Sequence, residues 1–376
     1  MALKVAFVHD WLVTWRGGEK VLEALLELFP DAPVYTMFYD ASAMPDSINR
    51  RDIRVPRLLN GLKKIRKVLL PLFPSIIESF DLSAYDLIIS TSSCVAKGAK
   101  GSTRTKHLCY IHSPMRYIWD QAEEYIAGVS HIPGARMAIE AATPRLRRWD
   151  IASSARVDRF VCNSHFVAER VKRHYGRDSV VIHPPIEVDR FSSNKQASDT
   201  RAEKPYFLAA GAFVSYKRFD LAIQACADLG IRLIVAGSGP AEGRLRVQAQ
   251  QLGAKDIEFV LNPDDETFRT LLTGAEALIF PGVEDFGMIA IEAMACGTPV
   301  IAYAAGGALD FIREGETGCF FREPTSASLK ACLAAFKRDG FDFERLRNFA
   351  GGFRREIFLS KIKKELDLIL GIGDTR

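Results

Sequence analysis

The stretch EDFGMIAIEAMACGTPVIAYAAGG, Glu284 to Gly307, holds two carboxylates eight positions apart, Glu284 and Glu292. Between Phe286 and Cys296, Glu292 is the one polar side chain. An ionised carboxylate inside an apolar helix is costly unless it is partnered. Vicinal hydroxyls of a ribose suit it, because they donate two hydrogen bonds to one carboxylate. A helix starting at Phe286 or Gly287 puts Glu292 about two turns in and leaves Glu284 in the preceding loop. The free N–H groups of Gly287 and Met288 then suit a diphosphate. The spacing fits a nucleotide diphosphate lying across the helix start. The alternative is that Glu292 lies on an exposed stripe or caps a neighbouring loop.

Other residues could act on an anion. In GAFVSYKRFD (211–220), Lys217 and Arg218 sit between a strand and a helix, where a cation and a helix N-terminus together favour a phosphate. A solvated basic pair is the plainer reading. Gly17 and Gly18, in RGGEK, lie at the mouth of a helix and let a ligand approach backbone N–H groups. They do not form a G-x-G-x-x-G fingerprint, and a flexible loop explains them equally. VAGSGP (235–240) is a further strand-to-loop glycine turn. His112, in YIHSPMRYIWD, ends an apolar strand beside Arg116, Tyr117 and Trp119. It reads either as a hydrogen-bonded structural histidine or as part of a functional rim.

The elements that must position these residues alternate. KVAFVHD (4–10), VYTMFY (34–39), LIISTS (87–92), HLCYIHS (107–113), RFVCNS (159–164) and VVIHPP (180–185) read as strands. Their unbroken apolar character predicts a parallel sheet covered on both faces. GGEKVLEALLELF (17–29) has helical spacing. The polar, Ser-rich segment 187–205 reads as a linker. Beyond it the pattern restarts, with strands at 206–211, 232–237, 257–261, 277–282 and 299–303. The helical stretches RFDLAIQACADLG and PAEGRLRVQAQQLG lie between them, each ended by Gly. The fold class is therefore α/β, with two doubly wound parallel-sheet domains, 1–186 and 204–354, facing across a cleft. The tail, about 355–376, is an amphipathic helix able to pack back on the first domain.

The chain has 376 residues, 48% hydrophobic and 26% charged, as expected of a globular protein with two cores. No apolar run is long enough to span a membrane, and the N-terminus reads as a first strand and not as a secretory signal. Seven scattered cysteines without a C-x-x-C pair point to reduced thiols, a cytoplasmic location and no zinc site. Residues 1–185 carry 26 Lys and Arg against 19 Asp and Glu, so the first half favours an anionic partner. Seven of those cations lie between Arg51 and Lys67. Residues 50–74 read either as a basic amphipathic helix on an anionic membrane surface or as a solvated helix of their own domain. Stacking aromatics are not interleaved with the basic residues, which argues against nucleic acid.

EDFGMIAIE, with AMACGTPVIAYAAGG after it, resembles the E-x7-E motif of retaining GT-B glycosyltransferases. HDWLVTWRGGEKVLEAL, YIHSPMRYIWD, VCNSHFVAERVKRHYGRDSVVIHPPIEVDRF and YKRFDLAI resemble its bacterial mannosyltransferase branch. The resemblance runs from about residue 4 to about 350. It implies transfer of a hexose, mannose from GDP-mannose in that branch, to a glycan or polyprenyl-diphosphate-linked acceptor in surface polysaccharide synthesis, without a cofactor or obligatory metal. The nucleotide-sugar donor would sit mainly on the C-terminal domain, with the acceptor on the N-terminal side. Glu292 would bind the ribose, Gly287 and Met288 the diphosphate beside Phe286, Glu284 the donor sugar, and Lys217 the leaving diphosphate with Arg218 near it. His112 would contact the sugar at the reacting carbon, and Gly17 and Gly18 the phosphates and acceptor. The family usually carries Arg directly after the residue equivalent to Gly211; here Ala212 stands there. A GT-B epimerase and a nucleotide-sugar-binding protein of weak turnover are the alternative readings.

Overall fold

The computed structural model describes residues 3–56, 59, 61, 68–120, 122–127, 134–192 and 204–372. The chain divides into two compact units, Met1–Pro185 with Phe358–Arg376, and Ile186–Ile357.

The first unit holds β1 Val5–His9, β2 Val34–Thr36, β3 Ile53–Arg54, β4 Leu87–Ser92, β5 Lys106–Ile111, β6 Arg159–Cys162 and β7 Val180–Val181. They form one parallel sheet in the order β3-β2-β1-β4-β5-β6-β7. The unbroken apolar runs follow from burial on both faces. In β1, Val5 and Phe7 pack with Leu22 and Leu25 of the helix Gly17–Leu26, while Ala6 and Val8 join Phe38 and Phe73 on the other side. The helix Arg355–Leu370 places Phe358, Ile362 and Leu366, spaced by four, in the same core as Phe7. Arg159 adds an ion pair to Glu365 at 2.6 Å. Deeper in this unit Lys97 and Asp150, neither exposed at all, pair at 2.7 Å. Ser153 and the Asp150 carbonyl accept from the ammonium, and Trp119 and Tyr175 donate to the carboxylate.

The second unit holds β8 Phe207–Ala212, β9 Leu233–Ser238, β10 Ile257–Leu261, β11 Leu278–Phe280, β12 Val300–Tyr303 and β13 Gly318–Phe321, parallel in the order β10-β9-β8-β11-β12-β13. In both sheets the strand order reverses at a central pair, β1 and β4 in one, β8 and β11 in the other. Chain leaving the C-terminal ends of such a pair diverges to opposite sides and opens a crevice where ligands bind.

Strands β3 and β13 are absent from the sequence reading; both are short, and GCFF at β13 alternates too little to stand out. The segment read as a linker from 187 begins instead as a helix, Val188–Ser192, because Val188 and Phe191 fall on one face and pack into the second core. Residues 193–203 of that segment, and most of the basic part of 50–74, lie outside the described residues. Among the described residues no helix is long and apolar enough to cross a membrane.

Candidate active site

At the switch point of the second sheet, β8 and β11 deliver Lys217 and Glu284. Lys217 ends the single turn Ser215–Lys217 that follows β8. Glu284 follows β11 in the loop before the helix Met288–Ala295. Their side chains, 11% and 17% exposed, pair at 2.5 Å between Nζ and Oε1. Residues 67 apart in sequence thus form one site. Two glycines permit it. Gly282 approaches so closely that a Cβ there would lie 2.3 Å from the Tyr216 carbonyl oxygen and 2.7 Å from the Lys217 Cα. On the other side a Cβ at Gly211 would lie 3.1 Å from Lys217 Nζ. The Glu284 loop is tied down from below, its carbonyl accepting from Gly307 N–H at 2.8 Å.

The helix after this loop starts at Met288, one residue later than the latest start read from the sequence, with Gly287 as its N-cap at φ +105°. That backbone angle excludes other residues without strain. A Cβ there would also strike the Phe280 ring at 2.5 Å. Glu292 is consequently the fifth helical residue, little more than one turn in, and it is buried. Phe286 is buried too, its ring 5.5 Å from Phe311 and 5.9 Å from Phe353. Its side chain belongs to the core, which leaves its backbone for the site. Arg218 adopts φ +52° and its guanidinium grips Asp220 at 3.1–3.2 Å. That grip turns the charge along its own helix, while the Lys217 ammonium goes to Glu284. Ala212, the last residue of β8, brings no charge to this end of the sheet.

The first unit assembles a second group. His112 follows β5, its N–H donating to the Ser92 carbonyl and its own carbonyl accepting from Asn163 Nδ2 at 3.1 Å. The residue is half-buried; its ring lies 5.2 Å edge-on to Tyr110, and its buried Nε2 has no hydrogen-bond partner among the described residues. Burial pushes this imidazole down to about 3, with His9 and Arg116 adding repulsion, so it is neutral at physiological pH. A Cβ at Gly18 would meet Nε2 at 3.5 Å, so the glycine mouth of the helix Gly17–Leu26 lies directly over the ring. The mouth is braced by residues the sequence did not single out. His9, at the end of β1, bonds Thr91 through Nδ1 at 2.6 Å and approaches Glu19 through Nε2 at 3.8 Å. Glu19 also accepts from the Arg16 N–H at 3.0 Å. The "VHD" ending of β1 is the one signal that could have found His9. Among the described residues no group of three His, Cys, Asp or Glu is placed to hold a metal ion.

Comparison with known proteins follows the same division. Residues 15–190 match the family model Glycosyltransferase Family 4, and residues 191–351 match Glycosyl transferases group 1. Between them the two glycosyltransferase models account for residues 15–351, and the fold is that of the GT-B glycosyltransferases. D-inositol 3-phosphate glycosyltransferase of Mycobacterium tuberculosis is 35% identical over 179 residues, which is 43% of this chain and 37% of that protein. The chain thus spans well under half the length of the curated relatives it matches. Among solved structures, Anabaena HepE in complex with UDP-glucose aligns with a TM-score of 0.71 at 17% identity, covering 97% of this chain and 100% of its own. Sucrose-phosphate synthase of Thermosynechococcus elongatus aligns with a TM-score of 0.73 at 18% identity, covering 99% and 100%. At these identities the structures establish the GT-B fold of this chain and nothing finer.

Proposed function

We propose that the protein transfers a hexose from a nucleotide diphosphate donor to an acceptor hydroxyl with retention at the anomeric carbon. The observation that carries this reading is the Lys217–Glu284 pair at the second sheet's switch point, beside the N-terminus of the helix Met288–Ala295. In this structure each charge satisfies the other. A diphosphate would draw the ammonium to itself, helped by the helix amides, and free Glu284 for the sugar hydroxyls. Glu292 would take the ribose. Charge accumulates on the departing diphosphate in the transition state, so Lys217 acts where the barrier is set, and the leaving phosphate oxygen accepts the acceptor's proton. Neutral His112, its Nε2 unpartnered among the described residues, would hydrogen-bond the sugar without charge repulsion.

Two donors are supported by different observations. The N-terminal blocks resemble mannosyltransferases and favour GDP-mannose, whereas HepE was solved with UDP-glucose. The acceptor we propose is a glycan or lipid-linked glycan, met at the inner face of the plasma membrane through the basic first half. Incubation with GDP-, UDP-, ADP- and dTDP-sugars, with and without lipid extract, tests the reading. Acceptor-dependent release of the nucleotide diphosphate, and a product whose anomeric NMR coupling matches the donor's, are expected. An isomerised donor, or protection from melting without turnover, would replace transfer by epimerisation or by binding. Lys217→Ala is expected to lower turnover about 10²–10³-fold in a folded protein; near-normal turnover overturns the role of Lys217.

A further inference from the structure

Five of the seven cysteines are buried, and the remaining two, Cys319 and Cys332, are half-buried and face each other. Cys319 lies in the edge strand β13, in register with Ile301 of β12. Cys332 lies in the helix Ser326–Ala335, whose Leu329 and Leu333 pack into the same core as Cys226. Their sulfurs are 3.3 Å apart. Closing to the bonded separation of about 2.05 Å needs a movement of little more than an ångström, within the reach of two side-chain rotations. A hydrogen bond from the Cys319 thiol also favours ionisation of the Cys332 thiol, the form that attacks a disulfide.

We propose that Cys319 and Cys332 form a reversible intramolecular disulfide, with a low-molecular-weight disulfide such as oxidised glutathione as the co-reactant. The Cys332 thiolate attacks one sulfur of that disulfide and expels one small thiol, leaving a mixed disulfide. Cys319, deprotonated in turn, attacks the Cys332 sulfur and expels the second small thiol. The two protein thiols are oxidised by two electrons, and one small disulfide is reduced to two thiols. The bond closes the loop between β13 and the helix and constrains the unfolded chain. It ties the free edge of the sheet to a helix on its face without touching Lys217 or Glu284.

The test uses the full-length protein equilibrated with oxidised glutathione, its free thiols blocked under native conditions, then digested for peptide mass analysis. A cross-linked peptide joining Cys319 to Cys332 is expected, with the other five cysteines recovered as thiols and the link reversed by dithiothreitol. The thermal midpoint should rise on oxidation, and should not respond to oxidant in Cys319→Ser or Cys332→Ser. A persistent glutathione adduct on either cysteine, or both thiols remaining free, overturns the proposal from the wild-type protein alone.

Discussion

Gly282 offers a sharp test of how the site is built, because its role is purely one of space. In Gly282→Ala the new methyl would sit 2.3 Å from the Tyr216 carbonyl oxygen and 2.7 Å from the Lys217 Cα. Ordinary contact begins near 3.4 Å, so the turn bearing Lys217 must retreat by roughly an ångström. Both obstructing atoms are backbone, and no rotamer change relieves them. Overpacking of this kind costs about 1–3 kcal/mol of stability. Displacing a charged group by about 1 Å from its working geometry costs about 10²-fold in rate. The variant should therefore unfold at lower urea concentration with an unchanged m-value, and turn over about 10²-fold more slowly at saturating donor. Gly340→Ala, with open space around its Cβ, is the control and should match the wild type in both assays. Wild-type turnover in Gly282→Ala would refute the claim that the β11 exit sets the position of Lys217.

Further perturbations probe the rest of the molecule. Glu292→Gln should weaken nucleotide binding by about 10–100-fold in calorimetry, the loss of charge-assisted hydrogen bonds worth about 1.5–3 kcal/mol. Lys97→Ala leaves the Asp150 carboxylate buried and unpaired, and should cost about 3–5 kcal/mol in urea unfolding. Acid sensitivity should come from two histidines: burial lowers His107 to about 4 and His112 to about 3 in the folded state. The unfolded chain then binds more protons below pH 6.5, so stability is full above that value and falls as the pH drops toward 3, by up to about 1.4 kcal/mol per pH unit per residue. His107→Gln should flatten the upper part of that decline in urea unfolding followed from pH 7 to pH 4.

The architecture was legible because both sheets are buried on two faces: an unbroken run such as VAFVH has no other soluble use. The candidate site was legible in its charges and not in its supports. A lone Glu292 in an apolar helix announces itself, as does a Lys at a strand exit. Gly282 and Gly211 act through contacts with a turn that is distant in sequence or reached from below, and a single sequence carries no mark of such approaches. His9 was hidden for a related reason, since its partners Thr91 and Glu19 come from another strand and another helix. Arg218 looked equivalent to Lys217 beside it; the left-handed turn and Asp220 separate their directions.

The helix Arg355–Leu370 carries a consequence for how the molecule is made. Its Phe358, Ile362 and Leu366 complete a core whose other buried residues lie between Val5 and Ile182. On the ribosome, the unit Ile186–Ile357 has all of its residues in hand before the unit that precedes it does. The N-terminal sheet must wait, with the apolar surface around Phe7 and Tyr110 uncovered, until Phe358, Ile362 and Leu366 emerge. A stop codon before Phe358 would accordingly damage the first half of the protein and not the half in which it falls. Expression of residues 186–357 alone should yield a folded unit, whereas residues 1–185 alone should depend on the tail being supplied as a separate peptide.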